Sequence, residues 1–100
     1  MIKAAFGDNS LWICGHSGCG PKGQDIVCAA VSILSEATAA ALRAREIPAI
    51  IVRGDGFFTC AAGSGGDMME PARQGLLLLA RHYGDNVEVR DLRTGRERHA

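Results

Sequence analysis

The opening residues have too little apolar length to be expected to act as a signal peptide. Met1-Ile2-Lys3-Ala4-Ala5-Phe6 is interrupted at once by Gly7-Asp8-Asn9-Ser10, so no hydrophobic stretch of signal-peptide length forms. The longest apolar stretch elsewhere, Leu76 to Ala80, is far too short to span a bilayer. These absences predict a cytoplasmic protein with no membrane partner. Net charge is lacking as well, with 11 Lys and Arg against 11 Asp and Glu. A dedicated nucleic-acid binder carries a basic excess, so no direct nucleic-acid contact is expected. No internal repeat is visible. Gly63-Ser64-Gly65-Gly66-Asp67 lacks the Lys and the following Ser or Thr of a phosphate-binding loop and reads as a flexible connection. What remains is 100 residues, 47% of them hydrophobic, enough for one domain over residues 1–100 with its own core. A domain this small buries only about 60–70% of its unfolded surface, so a dimer interface would add useful burial.

The pattern alternates hairpins and helices. Ile2 to Phe6 and Leu11 to Gly15 read as strands joined by the turn residues Gly7 to Ser10. Leu11 and Ile13 share one face of the second strand, Trp12 and Cys14 the other. Ser17 to Gln24 is a loop rich in Gly, a candidate flap over a peptide. From Asp25 to about Arg45 the period is helical: Val27, Val31 and Leu34 form one stripe, and Ile26, Ala30, Ile33, Ala37 and Ala41 an adjoining one. Apolar residues so broadly spread predict a central, mostly buried helix, which Pro48 stops. Ala49 to Arg53 and Phe57 to Ala62 form a second hairpin across Gly54-Asp55-Gly56. Arg53-Gly54-Asp55 spells an integrin-binding tripeptide and is read as coincidence. Pro71 opens a second helix to about Tyr83, with Leu76, Leu77, Leu79 and Ala80 inward. Val87 to Leu92 is a last strand, and Arg93 to Ala100 a solvated tail. The fold class is therefore α+β: a two-layer, hairpin-built mixed sheet packed on two helices, in the order β-β-α-β-β-α-β.

Chemistry concentrates between Gly15 and Leu34. Asp25 suits an N-cap, because its carboxylate can accept the free N–H groups of the first turn. Cys28 then falls at the third helical position, where the macrodipole favours an anion by about 0.3–1 kcal/mol. That is too little by itself to make a free thiol ionise at neutral pH, and Asp25 opposes it. His16, twelve residues upstream at the end of a strand, is the remaining source of activation. Cys28 as nucleophile and His16 as base make the candidate pair. N–H groups at the helix start are candidate oxyanion donors. Asp25 has a second candidate role, orienting His16. Ala29 is small enough to admit a peptide, Ser32 lies one turn beyond Cys28, and Gly15 adjoins His16; these are candidate supporting or substrate-binding positions.

Gly15-His16-Ser17-Gly18 followed by Asp25-Ile26-Val27-Cys28-Ala29-Ala30-Val31-Ser32, with Gly75 to Ala80 later, resembles the ribosomal-processing cysteine protease (Prp) family of bacteria. The resemblance implies a small α+β cysteine endopeptidase, usually a homodimer, without a cofactor. It implies a substrate, a large-subunit ribosomal protein precursor that loses a short N-terminal extension. His16 and Cys28 match the catalytic positions. Ser17 stands where Ala is usual, and Cys19-Gly20-Pro21 departs from the usual loop.

Two other readings fit the residues alone. Cys14, His16, Cys19 and Cys28 are four zinc-type ligands, although their spacing is not that of a usual knuckle. Alternatively, Cys28 is a core thiol in a non-enzymatic dimeric interaction module. Cys19 reads as an incidental thiol, with a redox partnership to Cys28 as its alternative. Cys14 and Cys60 read as core.

Overall fold

A computed structural model describes residues 1–18, 20 and 25–94. Strands β1 (Ile2–Phe6) and β2 (Ser10–Cys14) form the first hairpin, and helix α1 spans Ile26–Ala44. Strands β3 (Ala49–Gly54) and β4 (Phe57–Ala62) form the second hairpin; helix α2 (Glu70–His82) and strand β5 (Val87–Asp91) complete the order expected from the sequence. The five strands lie in the order β3-β4-β2-β1-β5. Every pairing is antiparallel except β1 with β5, which is parallel, so the sheet is mixed. A parallel pair requires a long crossover, and the rest of the chain supplies it.

One face of the sheet carries the core. Ile2, Ala4, Phe6, Leu11, Ile13, Phe58, Cys60 and Val87 meet Val27, Val31, Ala39 and Leu42 of α1 and Ala72 and Leu76 of α2. Leu11 and Ile13 face inward and Trp12 is exposed, as strand alternation requires. Cys60 is core, but Cys14 is only half-buried and belongs to the outer face with Trp12. That face leaves Trp12, Ile50, Val52 and Phe57 exposed on three adjacent strands.

Several expectations need correction. α1 is not mostly buried: Ile26 is 66% and Ile33 65% exposed, so the second apolar stripe faces outward. A two-layer fold has only one sheet face to offer a helix, and the Val27–Val31–Leu42 side takes it. By length and composition α1 is also apolar enough to cross a membrane, with mean hydropathy 1.6 over 18 residues, so it exceeds Leu76 to Ala80 as the longest apolar segment. Its inner stripe forms part of the core described above. In α2, Leu76 is buried but Leu77 is exposed, because a thirteen-residue helix against one sheet has a narrower inner face than four neighbouring apolar residues require. The connection Gly63 to Asp67 ends in a short 3-10 turn, Gly66–Met69, whose Met69 is fully buried.

The segment after β5 is anchored where it is described. Arg93 pairs with Asp91 at 2.7 Å and Glu70 at 3.2 Å and lies over the Phe6 ring. Thr94 donates to Asp8 at 2.6 Å. Arg96, Glu97 and Arg98 of the expected solvated tail lie outside the described residues. Arg73 is a buried cation that no pattern announced. Its Nη2 donates to the carbonyls of Gly7 and Asp8 at 3.0 and 2.8 Å, which ties α2 to the β1–β2 turn.

α1 begins and ends on local geometry. Asp25 is the N-cap, its Oδ1 accepting from the N–H groups of Val27 and Cys28, each at 3.0 Å. At the C-terminus Ile47 N–H returns to the Leu42 carbonyl and Glu46 N–H to that of Arg43. This is a Schellman arrangement, and it places Glu46 at φ 55°, where glycine is usual.

Candidate active site

β2 delivers His16 through Gly15, which has φ +100°. A Cβ on Gly15 would stand 2.2 Å from the Met1 carbonyl oxygen, so the close passage of β1 past this corner admits only glycine. Gly15 N–H donates to the Gly56 carbonyl at 2.8 Å, which joins the end of β2 to the β3–β4 turn. The His16 ring lies against that turn. Its Nε2 is 3.9 Å from Asp55 Oδ1, with side chains 63% and 73% exposed. A Cβ on Gly56 would come within 2.9 Å of the same nitrogen.

Cys28 sits at the start of α1 on the other wall. Its Sγ accepts the Ser17 N–H at 3.4 Å and approaches Ser17 Oγ at 3.9 Å. Ser17 is 2% exposed. Its hydroxyl donates to Asp25 Oδ2, and its carbonyl accepts from Asn86 Nδ2 at 2.7 Å. The cap, the sulfur and the Ser17 peptide are thus one connected unit.

Both walls enclose a cleft of about 880 Å³. Ile2, Ile13, Val31 and Phe58 supply apolar lining, and Gly15, His16, Asp25, Cys28, Ala29 and Ser32 all border it, so the structure gathers every residue singled out as a supporting position around the pair. His16 and Cys28 share the cleft without a hydrogen bond between them. Asp25 serves the helix cap and Ser17, and the carboxylate beside His16 is Asp55. The expected oxyanion donors need correction: Val27 and Cys28 N–H are occupied by the Asp25 carboxylate and Ala29 N–H by the Asp25 carbonyl at 3.0 Å. A cap that satisfies the first turn removes those donors from the cleft. The Ser32 hydroxyl makes no hydrogen bond with a described residue.

Sequence reading missed five contributors. Ser17 and Asn86 buttress Cys28 from loops far apart in the chain, and Asp55 approaches His16 from the β3–β4 turn beside the end of β2. Glu36 and Arg53 form a two-point ion pair at 2.7 and 2.9 Å on the cleft rim, which gives Arg53 and Asp55 of the tripeptide a place in this site. No local signal marks these contacts; only the substitution at Ser17 set it apart. Among the described residues, no three of His, Cys, Asp and Glu could together hold a metal ion. Cys14 is turned to the outer face of the sheet, and Cys19 lies outside the described residues.

A family model described as cysteine protease Prp matches residues 1–88. The chain belongs to the cysteine protease Prp family. It is a cysteine peptidase, and the fold agrees. A crystal structure of the essential ribosomal processing protease Prp from S. aureus, in complex with a covalently linked product peptide, has TM-score 0.82 at 19% identity, covering 91% of this chain and 99% of that one. The same S. aureus protease with a substrate peptide gives TM-score 0.74 at 18% identity over the same shares. The protein SMU.848 from Streptococcus mutans gives 0.72 at 26% identity, covering 94% of this chain and 96% of that one. No curated protein sequence matches the chain. The matched span includes Gly15, His16, Gly18, Asp25, Cys28, Ala29, Val31 and Ser32, which border the cleft.

Proposed function

We propose that this chain is an endopeptidase in which Cys28 is the nucleophile and His16 its proton acceptor, and that it removes an N-terminal extension from a large-subunit ribosomal protein precursor. The observation that carries the reading is that His16 and Cys28 line one cleft, within the residues that the family model matches. The S. aureus structures with substrate and product peptides support a peptide as the occupant.

Magnitudes choose the base. An ordinary carboxyl group is about 4.6 units more acidic than a thiol, so taking the thiol proton costs it about 6 kcal/mol; an imidazole is about 2 units more acidic, costing about 2.7 kcal/mol. His16 is therefore the better acceptor, although Asp25 is connected to the sulfur through Ser17. Exposed ion pairs are worth about 0–1 kcal/mol, so the contact with Asp55 does little to keep His16 from turning to Cys28. In the proposed cycle His16 takes the Sγ proton as sulfur bonds to the scissile carbonyl carbon. Protonated His16 then gives that proton to the leaving amine. Water, deprotonated by His16, finally displaces the acyl group from sulfur.

The test is incubation with the precursor and N-terminal sequencing of the product. Cys28→Ala and His16→Ala should each abolish cleavage while keeping the fold; normal turnover in either removes the pair. We further read the protein as a cytoplasmic homodimer, supported by the exposed Trp12, Ile50, Val52 and Phe57 on the outer sheet face. Light scattering should give twice the chain mass, and a monomer at micromolar concentration counts against it.

A further inference from the structure

Ser17 is nearly inaccessible, yet it touches the sulfur through two groups of opposite effect. Its N–H donates to Cys28 Sγ at 3.4 Å, an arrangement that favours the thiolate. Its Oγ lies 3.9 Å from the same sulfur. A hydroxyl has one proton to give, and here it goes to the Asp25 carboxylate, a far stronger acceptor than a thiol. Oγ therefore presents lone pairs to Cys28. A thiol can donate to them, whereas a thiolate meets only their negative charge. Asp25 is held in turn by the N–H groups of Val27 and Cys28, which keep its carboxylate beside the Ser17 hydroxyl.

We propose that Ser17 is a positioning residue that holds the Cys28 proton on sulfur in the free enzyme, its hydroxyl polarity being set by Asp25. This rests on the reading of Cys28 as the nucleophile. The peptide N–H then stabilises the thiolate once the proton has left, and this donor survives any side-chain change at position 17. Ser17 keeps the resting site in the thiol form, less open to stray oxidation or alkylation, until a bound peptide and His16 complete it.

The test reads alkylation of Cys28 itself. Iodoacetamide labelling of the full chain is followed between pH 5.5 and 9.5 on the Cys28 peptide by mass spectrometry, which separates it from the other three thiols. Removing one hydrogen bond to the thiol should raise the rate near pH 6.5 by roughly two- to tenfold in Ser17→Ala and move its profile to lower pH. Asp25→Asn keeps an N-cap of similar quality. Its amide oxygen takes the Val27 and Cys28 N–H groups and its NH₂ turns to Ser17, so the hydroxyl is released to donate to sulfur. In that background Ser17→Ala should slow alkylation. A mere packing role would give Ser17→Ala the same sign in both backgrounds, and that outcome overturns the proposal, as does an unchanged or slower rate in the native background. No substrate enters the measurement. Continued precursor cleavage by Cys28→Ala would sink the protease reading and leave the labelling result standing.

Discussion

Asp55→Asn is the perturbation that separates a resting contact from a catalytic one. Asp55 approaches His16 Nε2 at 3.9 Å, beyond hydrogen-bond length, and both side chains are more than half exposed. A contact of this kind is worth about 0–1 kcal/mol, and by RT ln K the upper end is about fivefold in an equilibrium. The asparagine keeps the size and removes the charge. Asp55 restrains His16 beside the β3–β4 turn by no more than that amount, so its loss should leave kcat/KM for precursor cleavage unchanged or raise it, with no change beyond about fivefold either way. The assay is initial-rate cleavage of a precursor-derived peptide at neutral pH, with the thermal midpoint as a check on folding. A fall of a hundredfold or more in a folded variant would show that Asp55 orients His16 during catalysis, as a third member of the site. The argument from exposure and distance would then be wrong.

Other consequences concern the scaffold. Glu46 holds φ 55° in the cap that ends α1; Glu46→Gly relieves roughly 1 kcal/mol of left-handed strain, less the extra chain entropy of glycine. The melting midpoint should rise by a few degrees for a domain of this size, and an unchanged or lower midpoint refutes the cap assignment. Burial pushes the Cys60 thiol above its ordinary 9.0, with a smaller opposing pull from Arg53. The folded state therefore keeps this proton longer than the unfolded chain does. Its stabilising contribution is full below the unfolded value near 9 and is lost as pH rises through the higher folded value. Cys60→Ala should be less stable than the parent at pH 7 because it leaves a small void. Urea midpoints should show the gap narrowing between pH 8 and 10.5, and a constant gap would place Cys60 in water.

Local chemistry in the sequence determined the element order, both hairpins, the Asp25 cap, the inward faces of the strands and the position of Cys28 at a helix start. Each depends on hydrogen bonds or side-chain periods within a few residues, which one chain can display unaided. The motif from Gly15 to Ser32 pointed to the pair for the same reason: its parts are close in sequence. Which stripe of α1 faces the sheet was not legible, since both stripes are apolar and only the two-layer packing selects one. Arg73 beneath the β1–β2 turn, Asn86 on the Ser17 carbonyl and Asp55 beside His16 join residues 39 to 69 positions apart. Nothing in their own neighbourhoods announces such partners. The direction in which the Ser17 hydroxyl points was likewise decided only in three dimensions, because it depends on a carboxylate and a sulfur brought together by the turn into α1.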